Sequence, residues 1–134
     1  MKYDDAKWHE ADAGNAVDAA VHIALLFVWL LKHNYVKKYW LEELKITLPL
    51  SKRISPTQYL YEYMEGKLID YVLTDDGKKL CDEYYDQYMT DYAGQTIKGM
   101  RYNKKGDNPY SGKDDWKNVK TLDHYFLKGS KLVH

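Results

Sequence analysis

A nearly continuous apolar segment over residues 15–33 constrains the fold of this chain more than any other feature. Asn15 is a good helix N-cap, Asp18 follows three residues later, and apolar residues then recur at helical spacing. Apolar side chains also occupy most of the remaining positions, which is typical of a helix that is buried on all sides. The pattern therefore predicts a central helix over 15–33, around which the rest of the chain must pack.

Four further segments carry helix patterns of their own. They lie at 37–47, 56–65, 75–92 and 114–127. Residues 68–73 form a short apolar stretch that fits either an extended linker or a minor β element. We therefore predict one mainly α-helical domain over 1–134, with four to five helices packed around the central one and a minor β element as an option.

The charge balance and the cysteine content exclude several classes of protein. Twenty basic residues match twenty acidic ones, whereas a dedicated nucleic-acid-binding protein usually shows a basic excess. The lone Cys81 cannot form an internal disulfide, and no apolar leader follows the first residues. The longest nearly apolar run, 19–31, is too short to span a bilayer. We therefore expect a cytoplasmic protein that has neither a nucleic-acid nor a membrane partner.

The zero net charge is the sum of an acidic region and a basic region. Residues 75–91 hold six acidic residues and two lysines, whereas residues 98–131 hold nine basic and four acidic residues. These faces are either solvated and mutually neutralising, or the acidic helix, which is rich in tyrosine, receives a basic partner. The candidate partner-binding residues are Asp82, Glu83, Tyr84, Tyr85, Asp86 and Tyr88. This set is an upper limit, because some of its tyrosines must face the core.

A second candidate site lies near the N-terminus, where a small ligand could bind around Asp4, Asp5, Trp8 and His9. His22 lies within the apolar segment and fits a core histidine whose polar atoms are satisfied. The sequence has no standard metal-ligand spacing, no nucleophile motif and no phosphate-binding loop. We therefore predict no metal, no cofactor and no catalytic residues, and a protein that is not an enzyme.

Several stretches taken together resemble a bacterial family of small proteins of unknown function. The matching stretches are 3–9 (YDDAKWH), 20–23 (AVHI), 27–29 (FVW), 55–60 (SPTQYL), 66–68 (GKL), the tyrosines and Asp91 over 84–92, and 116–118 (WKN). Similar small proteins occur among bacterial toxin–immunity systems, which act in interbacterial competition such as contact-dependent growth inhibition. The resemblance implies an immunity protein that binds and neutralises a cognate toxin domain without catalysis.

Two functions therefore stay open at the level of the sequence. The first is an immunity protein that uses its acidic, tyrosine-rich helix to occlude a toxin by charge and aromatic complementarity. The alternative is a small housekeeping or regulatory domain that binds a ligand or partner near the N-terminal segment 4–9. The two hypotheses differ in which surface binds the partner or ligand. The positions of the acidic helix and of segment 4–9 in the fold are therefore relevant to both.

Overall fold

The fold is mainly α-helical, as the sequence predicts. The computed structural model describes residues 1–103 and 108–128. In chain order the elements are strand β1 (Lys2–Asp5) and helices α1 (Glu10–Ala13), α2 (Ala16–Lys32), α3 (Lys38–Glu43) and α4 (Pro56–Met64), then strand β2 (Lys67–Ile69) and helices α5 (Asp75–Ala93) and α6 (Trp116–Asp123). Short 3-10 turns cover Ala6–Trp8 and Asp70–Val72, and a π turn, His124–Lys128, extends α6.

Helix α2 is the central helix that the apolar segment predicts. Its side chains over residues 19–31 are all buried, and it contacts α1, α4, α5, α6 and both strands. At its start the Asn15 side chain accepts a hydrogen bond from the backbone N–H of Asp18 and donates one to the Asp18 carboxylate, each at 2.8 Å. Across the described ranges, no helix combines the length and the apolar character needed to cross a membrane.

The predicted helices at 56–65 and 75–92 are confirmed as α4 and α5. Helix α4 begins with a capping box between Ser55 and Gln58. Helix α5 begins directly after its N-cap residue Thr74, whose hydroxyl accepts a hydrogen bond from the backbone N–H of Gly77 at 3.0 Å. Helix α3 is shorter than the predicted 37–47. The chain leaves helical geometry by Lys45, whose φ is 57°, so the amphipathic pattern there extends beyond the helix.

The small sheet joins the N-terminus to the middle of the chain. Strand β1 pairs with β2 in antiparallel fashion, with Asp4 opposite Leu68, Asp5 opposite Lys67, and an irregular register between Lys2 and Asp4. Both aspartates are buried, although regular alternation along a strand would turn one of them outward. The minor β element expected near 68–73 is present as β2, whereas its partner β1 was not predicted.

The loop between α5 and α6 is held against the body by the buried side chain of Asn118. Its Oδ1 accepts from the backbone N–H of Arg101 at 2.8 Å, and its Nδ2 donates to the carbonyl oxygens of Arg101 and Lys113 at 2.8 and 2.9 Å. Tyr102 and Gly112 also form an isolated antiparallel bridge. This anchoring fixes where residues 108–112 lie, and it brings them over the N-terminal segment.

Candidate functional site

The carboxylate of Asp4 is the centre of a buried polar cluster. Its Oδ1 accepts from the backbone N–H of Asp5 at 2.8 Å and lies 2.6 Å from Nε2 of His9. Its Oδ2 lies 3.0 Å from Nε2 of His22 and accepts a hydrogen bond from the Tyr85 hydroxyl. Asp4 is only 2% exposed and His22 only 1%. All four acceptor positions of one carboxylate are thus in use, inside the protein.

The hydrogen-bond pattern fixes the protonation states in this cluster. Burial alone would raise the pKa of Asp4, but the hydrogen bonds from His22, Tyr85 and His9 outweigh it and lower that pKa to about 2. Burial lowers the pKa of His22, although the neighbouring carboxylate opposes the shift. An anionic Asp4 requires a proton on each Nε2 that faces it, and because burial lowers the pKa of His22 we assign that ring as the neutral form with an Nε2–H.

This assignment leaves the second nitrogen of the His22 ring, Nδ1, as a hydrogen-bond acceptor. In His9 the corresponding atom is paired, because its Nδ1 lies 2.8 Å from the hydroxyl of Tyr110. Nδ1 of His22 is buried and has no hydrogen-bond partner among the described residues. An unpaired acceptor inside a protein costs free energy, so this atom is the conspicuous exception in an otherwise satisfied cluster.

A cavity of about 320 Å³ adjoins the two histidines. Its walls are largely apolar and aromatic: the ring centroid of His22 lies 5.5 Å from that of Tyr92 and 6.0 Å from that of Tyr110. The lining residues are His9, His22, Met89, Thr90, Tyr92, Ala93, Pro109 and Tyr110. A mainly apolar hollow with a few converging polar groups is the usual form of a small-molecule site.

Five parts of the chain build this site, and the fifth is the loop that carries Pro109 and Tyr110. Strand β1 supplies Asp4, and helix α2 supplies His22. His9 lies at the end of the first 3-10 turn. Helix α5 supplies the Tyr92 ring, which packs so closely on Gly112 that a Cβ there would lie 2.7 Å from two of its ring carbons. Glycine at this position therefore allows the loop to close over the cavity.

The cluster predicts how stability depends on pH in a metal-free buffer. Both lowered pKa values mean that the unfolded chain binds protons more readily than the folded one, on His22 below about pH 6.5 and on Asp4 below about pH 4. The stabilisation is thus complete above about pH 6.5 and is lost as the pH falls. We expect Asp4 alone to account for roughly 2–3 kcal/mol between about pH 4 and pH 2.

Urea titrations at a series of pH values would measure this dependence as the free energy of unfolding. The variant Asp4→Asn should lose the part of the slope that lies below about pH 4. If the unmodified protein and this variant gave parallel curves in that range, the low pKa of Asp4 would be refuted.

The structure divides the N-terminal candidates into two groups. Asp4 and His9 meet in the polar cluster, as the ligand-binding hypothesis requires. Asp5 instead caps the first 3-10 turn through the N–H of Lys7 and pairs with Lys2 at 3.0 Å. Trp8 is 58% exposed, lies under the Lys2 ammonium, and does not line the cavity.

The acidic helix α5 is also divided between core and surface. Asp82, Glu83 and Asp86 are exposed, although Asp82 accepts a hydrogen bond from Tyr3. Tyr84 is half-buried and packs against the core. Tyr85 and Tyr88 are buried, because their hydroxyls bond to Asp4 and to the carbonyl oxygen of His22. Tyr85 and Tyr88 are thus the tyrosines of this set that face the core, and the other four residues remain the candidates for partner contact.

Sequence reasoning treated His22 as a satisfied core residue, and this was half correct. Its Nε2 is paired and its ring is buried, but its Nδ1 is not paired within the described chain. The one available signal was an imidazole inside an apolar helix. Tyr110 was missed entirely, because it follows a glycine-rich stretch that carries no helix or strand pattern. Cys81 is buried as expected, and burial raises the pKa of its thiol to about 12.

The fold and the site define a small helical protein with a histidine–carboxylate cluster beside a cavity. A family model described as a domain of unknown function, DUF7832, matches residues 2–104, and the chain belongs to this family. The match agrees with the resemblance to a family of unknown function, and it includes Asp4, His9 and His22 but ends before Tyr110. No curated protein and no solved structure matches the chain.

Proposed function

We propose that this protein binds a small organic ligand in the cavity beside His9 and His22. The observation that carries the proposal is the unpaired Nδ1 of His22, which belongs to a residue of the cavity wall. Leaving such an acceptor unpaired costs about 1–3 kcal/mol, which a ligand with an O–H or N–H donor would recover. The apolar wall residues, such as Met89 and Ala93, suit the hydrophobic body of that ligand.

Phenol and anisole form a matched pair of ligands for testing this site. Both carry an aromatic ring, but only phenol has a donor for His22. With EDTA present to remove metal ions, we expect phenol to bind more tightly than anisole by about fivefold, the worth of roughly one net hydrogen bond. Isothermal titration calorimetry would measure both affinities.

Methionine methyl groups report where the phenol binds. Met89 lines the cavity, whereas Met1, Met64 and Met100 do not. In a protein labelled with ¹³C at the methionine methyls, phenol should shift the Met89 resonance and leave the other three nearly unchanged. Equal shifts at all four methyls, or equal affinities for phenol and anisole, would contradict a donor-binding site in this cavity.

The immunity function is the second candidate, and the exposed acidic residues of α5 favour it. Asp82, Glu83 and Asp86 lie within five residues on the surface and could attract a basic toxin domain. Lys78 and Lys79 in the preceding turn moderate the negative charge on one side of this patch. A cytoplasmic immunity protein would need this face to complement its toxin in both charge and shape.

The immunity hypothesis predicts a toxin gene beside this one, and co-expression with the toxin domain it encodes would test the hypothesis. The expected result is rescue of growth together with co-purification of a stable complex. Replacing Asp82, Glu83 and Asp86 with their amides should slow association and weaken its dependence on salt, because exposed charges act mainly on the association rate. The matched control is Glu42→Gln with Glu43→Gln, on the exposed face of α3. Absence of both rescue and co-purification would reject this candidate.

A further inference from the structure

We propose that Asp4, His9 and His22 together bind a divalent transition-metal ion beside the cavity that the two histidines line. The inference goes beyond the proposed ligand site, because it uses the Nε2 atoms that face Asp4 and needs no organic ligand. It also goes beyond the sequence, in which no metal-ligand spacing is visible. The three residues come from a strand, a turn and the central helix, so only the folded chain assembles them.

The distances within the cluster suit such an ion. One candidate ligand atom from each of Asp4, His9 and His22 lies within 4.8 Å of the other two. Nitrogen and oxygen ligands bind zinc at about 2.0–2.2 Å, so ligand atoms around a tetrahedral ion lie roughly 3.3–3.6 Å apart. Nε2 of His9 now lies 2.6 Å from Oδ1 of Asp4 and Nε2 of His22 lies 3.0 Å from Oδ2, so these distances would have to increase by about 0.5–1 Å to admit the ion.

The chemistry of the three side chains selects the class of ion. Two imidazoles and one carboxylate suit zinc, iron(II) and related transition metals, whereas magnesium and calcium prefer sites built from oxygen alone. The cluster thus offers three protein ligands, the number found in zinc sites that keep one position for a substrate or water.

The ring protons must lie on Nδ1 when the ion is bound, because a metal ion can bind only an Nε2 that carries no proton. In His9 the Nδ1–H would then donate to the hydroxyl oxygen of Tyr110, which lies 2.8 Å away. Asp4 would keep its hydrogen bonds from the Asp5 N–H and the Tyr85 hydroxyl, which orient the carboxylate from behind.

A second histidine–carboxylate pair in this chain provides a matched control. His33 lies 2.9 Å from Asp123, close to the separations in the cluster. Its two side chains are 27% and 36% exposed, and no third histidine, cysteine or acidic group of the described chain joins them in a metal-sized cluster. His33→Ala should therefore leave metal binding unchanged, while it removes one imidazole exactly as His9→Ala does.

Titration of the EDTA-stripped and dialysed protein with Co²⁺ and then with Zn²⁺ would test the site. We expect one ion per chain, with visible Co²⁺ absorption bands that Zn²⁺ displaces. His9→Ala should weaken Zn²⁺ binding by more than the roughly 100-fold that loss of an outer-shell partner costs. If the alanine variant fails to fold, His9→Gln can replace it, because glutamine keeps a polar group at this position. We expect this variant to weaken Zn²⁺ binding to a similar extent. Circular dichroism would verify the fold of each variant.

The outcomes separate this inference from the proposed function. Failure to bind one equivalent of Zn²⁺, or equal losses in His9→Ala and His33→Ala, would overturn the metal site. If phenol still shifted the Met89 methyl in EDTA under that result, the organic ligand site would stand alone. Stoichiometric Zn²⁺ binding that depends on His9 but not on His33 would support the metal site, whether or not phenol binds.

Discussion

Replacing Asp4 with alanine is expected to lower the free energy of unfolding by about 3–5 kcal/mol, because it leaves several buried donors without an acceptor. The N–H groups of His9 and His22 and the hydroxyl of Tyr85 all bond to this one carboxylate. Alanine would supply none of these acceptors, and little water can reach His22 or Tyr85 to replace them. Urea denaturation followed by circular dichroism at about pH 7, in EDTA, would measure the loss.

Asp5→Ala is the matched control for this prediction. Asp5 is the next residue and is also buried, but among the described residues its carboxylate bonds only to the Lys7 N–H and the partly exposed Lys2 ammonium. We expect this variant to lose about 1 kcal/mol, the usual value of a cap with a weak ion pair. A loss from Asp4→Ala no larger than that from Asp5→Ala would mean that the cluster does not hold the N-terminal strand to α2.

Trp29→Ala is expected to lower the free energy of unfolding by about 3–5 kcal/mol, because it leaves a cavity at the centre of the core. The Trp29 side chain is fully buried in α2, and its ring centroid lies 4.8 Å from that of Phe126. Its indole N–H also donates to Asp123 at 2.9 Å, which ties α2 to α6. The same urea titrations would measure the effect.

Trp8→Ala removes the same side chain from an exposed position and is the control. We expect its effect on the free energy of unfolding to stay within about 0.5 kcal/mol, since the side chain is 58% exposed and its ring lies under the Lys2 ammonium. If the two tryptophan variants were equally stable, the placement of α2 at the centre of the fold would be wrong.

The helices could be predicted because their determinants are local. The apolar segment 15–33, the caps at Asn15, Ser55 and Thr74, and the tyrosine stripe of α5 all act within a few residues of chain. Such features fix where a helix begins and which face it buries, whatever the rest of the chain does. Helix α3 is clearly shorter than predicted, because the amphipathic pattern continues beyond Lys45, whose φ is positive.

The site could be predicted only in part, because it depends on pairing over a long distance. Asp4 reaches His22 since β1 pairs with β2 near residue 68, and a strand of four residues is too short to show a reliable alternation. The same limit applies to the tyrosines. The stripe on α5 indicated that some face inward, but only the fold shows that Tyr85 bonds to Asp4 and Tyr88 to the backbone of α2.

The cavity has two opposite sides, a floor and a roof, and the loop that Asn118 anchors contributes to the roof. His9 and His22 form part of the floor and lie inside the region that matches the family, whereas Pro109 and Tyr110 form part of the roof and lie beyond it. Asn118 holds the loop through Arg101 and Lys113, so Pro109 can be replaced without removing a hydrogen bond from the Asp4 cluster, whereas Tyr110 cannot, because its hydroxyl lies 2.8 Å from Nδ1 of His9. The shape of the cavity can therefore be altered at Pro109 while its polar groups stay in place.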